Sequence, residues 1–410
     1  MEQKEKAFIV GIQRRGQSRF DMEASLSELR RLLDTAGITV TGSLYQVVSS
    51  PHPRTFVGKG KVEELRAQRL HEPFDTLVID DELTPAQNRN LEKILGIKVL
   101  DRTMVILNIF AQRAQSKEGQ LQIELAQLEY MGPRLRGLWQ HFGQQTGGIG
   151  TRGPGETQLE VDRRRLREKI AHIRQQLKDV RKHRAVQRFK RMSLSIPLIS
   201  LVGYTNAGKS TLLRSLTHAN VLVEDKLFST LDPTVRRLKL PSGRQVLLAD
   251  TVGFIRRLPH SLVQAFKATF EEISHSTMLV HLIDMNDPEA HQQVETVENV
   301  LSELELDQKP RMLVLNQKEE GNGHFAHPDA VKISALNGDG FGVFLSAIDN
   351  LLRSGFQKTS LLLPHDRGDI LPVLYRVGTV EKVSYLAGGI QIECELPKKY
   401  VEKYREFHLN

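Results

Sequence analysis

The residues of this sequence best placed to do chemistry are a lysine and a serine set behind two spaced glycines. The run Gly203-Tyr204-Thr205-Asn206-Ala207-Gly208-Lys209-Ser210, followed by Thr211, has the spacing Gly-x-x-x-x-Gly-Lys-Ser. Such a loop wraps phosphates in backbone N–H groups, and the helix after it turns its positive end toward them. Lys209 would reach the β- and γ-phosphates, and the Ser210 hydroxyl would coordinate Mg²⁺. The context fits: apolar Leu198–Val202 reads as a strand before the loop and Thr211–Leu216 as a helix after it. Further on, Asp250-Thr251-Val252-Gly253 closes the strand Gln245–Ala249. Asp250 would give the second Mg²⁺ contact through water, and the Gly253 N–H could sense the γ-phosphate. Between them, Phe228-Ser229-Thr230-Leu231-Asp232-Pro233-Thr234 offers two threonines. Either Thr230 or Thr234 could bind the ion only while the γ-phosphate is present, so that GTP orders the loop and hydrolysis releases it.

The order phosphate loop, threonine loop, Asp-x-x-Gly is that of a switch GTPase, in which a base-reading Asn-Lys-x-Asp follows a later strand. Here the strand Met312–Leu315 ends in Asn316-Gln317-Lys318-Glu319. Gln317 stands at the lysine position and Glu319 at the aspartate position. A carboxylate at Glu319 still accepts from the guanine N1 and N2 hydrogens, but from one methylene farther out. Ser334-Ala335-Leu336, after the strand Ala330–Ile333, would supply a backbone N–H to the guanine oxygen. The departures at Gln317 and Glu319 keep an alternative open, an ATP-dependent RNA remodelling enzyme.

These residues need a scaffold. Residues 1–101 alternate strand and helix patterns and read as an N-terminal α/β domain. Asp21–Thr35 carries a leucine stripe, and Thr84-Pro85 opens a further helix. Phe56–Lys61 looks like a phosphate loop but lacks the Gly-Lys-Ser/Thr ending, so it reads as a strand-to-helix turn. In residues 102–191, Ile106, Ile109, Phe110, Arg113, Lys117, Leu121, Leu125 and Leu128 follow one helical path. Leu159, Leu166, Ile170, Ile173, Leu177 and Val180 form a heptad seam. The segment between, 132–155, holds eight glycines in 24 residues. The expectation is a long antiparallel helical hairpin with a Gly-rich tip. Residues 192–356 read as a P-loop G domain with a mainly parallel sheet, and 357–410 as a small C-terminal α/β module with strands at Val373–Val377 and Ile390–Cys394.

The net charge of +8 has a location. From Arg152 to Arg191 there are 14 Lys/Arg and 5 Asp/Glu, so 14 − 5 = +9, and the rest of the chain is near neutral. A local excess of this kind fits a polyanion such as RNA, and equally a solvated helix face. At the tip, Trp139 and Phe142 could stack on unpaired bases while Arg134, Arg136 and Arg152 bind phosphates. The single cysteine, Cys394, excludes an intramolecular disulfide and a cysteine-based zinc cluster. No run approaches the roughly 20 apolar residues of a membrane span. The chain reads as a cytoplasmic monomer, a fraction of which could associate with membranes.

The sequence closely resembles the HflX family of ribosome-associated GTPases, related to the Obg group, over nearly its whole length. The motifs that carry the likeness are Gly153-Pro154-Gly155-Glu156-Thr157-Gln158-Leu159-Glu160, the phosphate loop, Phe228–Asp232 and Asp250-Thr251-Val252-Gly253-Phe254. The resemblance implies Thr230 as the Mg²⁺ threonine. It also implies binding to the large ribosomal subunit with the tip near the peptidyl transferase centre, and splitting of stalled ribosomes under stress. Phe254 occupies the place where many GTPases carry a water-orienting glutamine. A phenyl ring cannot hold that water, so slow intrinsic turnover is expected. Asn206 resembles the asparagine of GTPases that use K⁺ for charge compensation.

Overall fold

The computed structural model describes residues 5–134, 158–193, 196–217, 226–257, 259, 273–317, 323–353 and 356–409. They pack as two units. The first comprises the described parts of residues 1–180, 224–232 and 252–270, and the second those of 181–223, 233–251 and 271–410.

In the first unit, β1 (Lys6–Arg14), β2 (Thr39–Val48), β3 (Thr76–Ile79) and β4 (Lys98–Asp101) form a parallel sheet in the order β2-β1-β3-β4. Ala7, Ile9, Val10 and all of Thr76–Ile79 are fully buried, which explains why these strands read as unbroken apolar runs. The crossovers are α1 (Arg19–Thr35), α2 (Lys59–His71) and α3 (Pro85–Leu95). Their starts are written locally. Ser18 caps α1 by accepting from the Asp21 N–H at 3.0 Å, and Thr84 forms a capping box with Gln87 ahead of Pro85. The turn at Phe56–Lys61 leads into α2 with Gly58 as its N-cap, as a plain strand-to-helix turn requires.

The path expected as one helix after residue 102 is two helices. α4 (Arg102–Arg113) is capped by Asp101, and α5 (Lys117–Met131) by Ser116. Ala114 is extended between them, because Gln115 and Ser116 give their N–H groups to an outside carboxylate and not to a continuing helix. α6 (Gln158–Ser193) follows, its Ile173 and Leu177 clustered with Leu121 of α5 and backed by Leu125, Leu128 and Val180. Gly132, just past α5, faces Leu166 early in α6, so the pair runs antiparallel. Lys169–Glu124 and Arg174–Glu129 bridge it at 2.8 and 2.7 Å.

The second unit holds β5 (Leu198–Val202), β6 (Thr234–Lys239), β7 (Gln245–Asp250), β8 (Met278–Asp284), β9 (Arg311–Asn316) and β10 (Val331–Ile333). Their order is β10-β9-β8-β5-β7-β6, parallel except for β6. α7 (Lys209–Thr217), α8 (Ala290–Glu303) and α9 (Phe341–Arg353) complete this layer. β5 stands where successive strands begin to be laid down on opposite sides. Such a switch point opens a crevice at the carboxyl end of a doubly wound sheet. The same unit contains β11 (Phe356–Leu363), β12 (Thr379–Leu386) and β13 (Gly389–Pro397), antiparallel in the order β11-β13-β12, with α10 (Ile370–Val377) and α11 (Lys398–Lys403). Val373–Val377, expected as a strand, therefore lies in a helix. Ile370, Leu374 and Val377 are the buried stripe at helical spacing, which a short apolar run conceals. Arg244, in the turn between β6 and β7, joins the two sheets through Glu395 at 3.2 Å and the Phe356 ring at 3.8 Å.

A buried trio holds the first unit together. The Arg102 guanidinium is 2% exposed and pairs with Asp80 at 2.7 Å and with Glu28. Arg102→Met would leave two buried carboxylates short of a cation. Chemical denaturation should show a stability loss of about 3–5 kcal/mol, and a loss below about 1 kcal/mol would show that the trio carries little.

Candidate nucleotide site

The phosphate loop leaves the carboxyl end of β5 and enters α7. Its conformation dictates its glycines. Gly203 and Gly208 have φ of 152° and 99°, in the region that favours glycine. A Cβ on Gly203 would fall 2.3 Å from the Leu282 carbonyl oxygen, and one on Gly208 would fall 2.3 Å from the Asn316 amide nitrogen. Asn206 also has positive φ, 65°, which asparagine tolerates better than most residues. Lys209 is buried and donates to the carbonyls of Gly203 and Tyr204 at 3.1 and 2.7 Å. The Ser210 hydroxyl donates to the Asp250 carboxylate at 2.6 Å, and Asp250 is fully buried at the end of β7. Next to it the Thr251 hydroxyl donates to the Leu201 carbonyl at 2.6 Å and ties β7 to β5. The pair of Ser210 and Asp250 offers hard oxygen donors but few of them. Among the described residues no group of three or more His, Cys, Asp or Glu could hold a metal. That set suits Mg²⁺, which takes one or two protein ligands and completes its shell with phosphate and water.

At the base end, Asn316 is a brace. Its amide nitrogen donates to the Ala207 carbonyl at 2.9 Å, and its amide oxygen accepts from the Ala335 N–H at 3.0 Å. One side chain thus links the phosphate loop to the loop after β10. In the run Ser334-Ala335-Leu336, expected to supply a backbone N–H to the base, the Ser334 N–H goes to the Asp339 carbonyl and the Ala335 N–H to Asn316. Leu336 is 68% exposed. Gln317 gives its N–H to Ile333. Lys318 and Glu319 lie outside the described residues. Behind the phosphate loop, on β8, burial with Arg311 and Lys209 nearby pushes the pKa of His281 down to about 3. This imidazole is neutral in the working range and adds no charge beneath the phosphates.

The threonine loop and the segment after Val252 belong to the first unit. There Phe228, with φ of 56°, sets its ring edge-on to Phe110 at 4.7 Å, and Leu231 is buried. Ser229 and Thr230 are half-buried between these anchors. The Asp232 carboxylate, a nucleotide-site candidate in the sequence, is committed elsewhere. It accepts from the N–H groups of Gln115 and Ser116 at 2.9 and 2.7 Å and from the Ser116 hydroxyl. Val252, Gly253, Phe254 and Ile255 are buried, and Arg257 donates to the Asp80 carbonyl at 2.8 Å. Sequence reasoning missed Gln115, Ser116 and Arg257. Only Ser116 left a signal, as a serine of N-cap type just ahead of a helical run.

Of the RNA candidates, Arg136, Trp139 and Arg152 lie outside the described residues. Arg134 has an internal use. It stacks 3.5 Å over the Tyr130 ring and donates to the carbonyls of Tyr130 and Leu83, with the Asp101 carboxylate 3.4 Å away. Tyr130 donates its hydroxyl to Asp101, and burial beside that carboxylate pushes the phenol pKa up.

A phosphate loop at a sheet switch point, a serine–aspartate pair beneath it and an asparagine bracing it to the following loop define a P-loop GTPase. Family models agree. Residues 23–111 match the GTP-binding GTPase N-terminal model, 113–191 the GTP-binding GTPase middle region, and 198–317 the 50S ribosome-binding GTPase. The chain is 45% identical to the GTPase HflX of Caldanaerobacter subterraneus subsp. tengcongensis, over 98% of this chain and 94% of that protein. It is 42% identical to the Escherichia coli GTPase HflX over 92% and 90%. A GTP-binding protein of Sulfolobus solfataricus, solved with GDP, aligns over 86% of this chain and 99% of its own at 26% identity and a TM-score of 0.44. The chain belongs to the HflX family of GTPases and is a GTP-hydrolysing enzyme. Among the described residues no helix is long and apolar enough to cross a membrane.

Asn316→Ala would strand the buried Ala207 carbonyl and Ala335 N–H. At about 1–3 kcal/mol for each unsatisfied group, guanine-nucleotide affinity should fall at least tenfold. Titration calorimetry with GDP measures it. An affinity within twofold of wild type would show that the brace is dispensable.

Proposed function

We propose that the chain is a GTP-driven switch that binds the large ribosomal subunit and splits or rescues stalled ribosomes under stress. The observation that carries this reading is the match of residues 198–317 to the 50S ribosome-binding GTPase model. The positive charge gathered at 152–191 supports it. Mg²⁺ would be held by Ser210 and, through water, by Asp250, with Thr230 joining while GTP is bound. Bound there, the ion neutralises charge on the phosphates. Lys209 exchanges its two loop carbonyls for β- and γ-phosphate oxygens, and the Gly253 N–H reports the γ-phosphate. The buried Phe254 ring offers no hydrogen bond to an attacking water. Hydrolysis by the isolated chain is therefore slow, and contact with the ribosome accelerates it. Arg136, Trp139 and Arg152 meet ribosomal RNA, while Arg134 is engaged by Tyr130, Leu83 and Asp101. Asn206 is the candidate K⁺ ligand. The chain acts as a cytoplasmic monomer.

Sedimentation with large ribosomal subunits should recover the protein with a non-hydrolysable GTP analogue and lose most of it with GDP. Equal recovery in both would sink the switch. GTP turnover should rise at least tenfold when subunits are added, a barrier change of about 1.4 kcal/mol, and a turnover unchanged by subunits would contradict the proposal. Turnover measured in KCl against NaCl tests the Asn206 reading, which requires KCl to be faster.

A further inference from the structure

Thr230 is strapped on both sides to the first unit. Two residues before it, the Phe228 ring packs edge-on against Phe110 of α4. Two residues after it, Asp232 holds the elbow where α4 ends and α5 begins. Its Oδ2 accepts from the backbone N–H groups of Gln115 and Ser116 at 2.9 and 2.7 Å, and its Oδ1 accepts a hydrogen bond from the Ser116 hydroxyl. Ser116 in turn accepts from the Gly119 N–H at 3.0 Å as the N-cap of α5. The fit is close: a Cβ on Gly119 would lie 2.7 Å from the Asp232 oxygen. A carboxylate at this point also meets the positive end of a 15-residue helix. α5 is the first helix of the α5–α6 pair, so its direction at Ser116 sets where that pair emerges.

We infer that Asp232 is a positioning residue that couples the nucleotide state of Thr230 to the α4–α5 elbow, and through it to the helical hairpin. The inference rests on the proposed role of Thr230 as the threonine that meets the ion only with GTP. Thr230 and Asp232 are separated by a single buried residue, Leu231. A shift of Thr230 toward the γ-phosphate cannot leave the Asp232 carboxylate where it is without drawing the elbow along or breaking its three hydrogen bonds. Either response changes how the first turn of α5 is held. Asp232 itself touches no reacting atom.

Hydrogen exchange on the full chain, loaded with GDP or with a non-hydrolysable GTP analogue, tests this. Wild type should show a difference between the two states at the amides of residues 115–121. Asp232→Ala should abolish that difference while GDP affinity, set by the phosphate loop, stays within twofold of wild type. Ser116→Ala, which keeps the backbone donors, should reduce the difference without abolishing it. The kcat for GTP in Asp232→Ala, which loses all three charge-assisted hydrogen bonds, should fall at least roughly tenfold, with KM little changed. A purely structural role would raise exchange equally in both nucleotide states, and that result would overturn the inference. So would a wild-type protein whose 115–121 amides ignore the nucleotide. Thr230→Ala separates the two readings. A nucleotide-dependent difference that survives Thr230→Ala refutes the role of Thr230, whereas one lost in Thr230→Ala but kept in Asp232→Ala refutes the coupling alone.

Discussion

Everything at the nucleotide site depends on how closely the phosphate loop is pressed against its own sheet. At one end the loop touches the Leu282 carbonyl of β8, and at the other the Asn316 amide at the end of β9. No side chain fits at either point, so both positions are glycine and both take backbone angles that glycine favours. The close approach lets Asn316 reach the Ala207 carbonyl, and Asn316 then fixes the loop that follows β10. Ser210 and Asp250 come together for a related reason. β5 and β7 are parallel neighbours, so the loop leaving one and the last residue of the other share an edge.

Much of this was legible in the sequence because the governing interactions are local. The phosphate loop, its strand and its helix lie within 20 consecutive residues, and so do the caps at Ser18 and Thr84. Asp250 was found as an acidic residue at the end of an apolar strand. What stayed hidden depends on partners distant in the chain. Asp232 looked like part of a nucleotide loop, yet its carboxylate serves Ser116, more than a hundred positions earlier. Arg134 looked like a free cation at a basic tip, yet the Tyr130 ring and the Leu83 carbonyl engage it. The helical path from Ile106 to Leu128, polar at Arg113 and Lys117, carried only the N-cap serine Ser116 as a sign of its break, because the carboxylate that holds the break is Asp232 and no proline or glycine marks it. Val373–Val377 failed differently: a short apolar run does not distinguish helix from strand by its periodicity.

The division into two units gives the fold its working character. A P-loop domain would be expected to keep its own switch segments. Here residues 226–232 and 252–257 count with the N-terminal sheet and its helices. Phe228 rests on Phe110, and Arg257 reaches the carbonyl of Asp80 at the carboxyl end of β3. In an open parallel sheet that end is where ligands ordinarily bind. In this chain it receives a segment of the same polypeptide. The N-terminal layer thus behaves as a receptor whose ligand is covalently attached.

The Arg102, Glu28 and Asp80 trio also restricts how the sequence can drift. Each member is buried, and one cation serves both carboxylates. Replacing Arg102 alone leaves two buried carboxylates without their shared cation, replacing Glu28 or Asp80 alone leaves a one-to-one ion pair, and exchanging all three for apolar side chains of similar volume need cost little. The routes away from this arrangement therefore begin at a carboxylate and not at the arginine. Single-step divergence is most restricted at Arg102, a residue far in the chain from the phosphate loop.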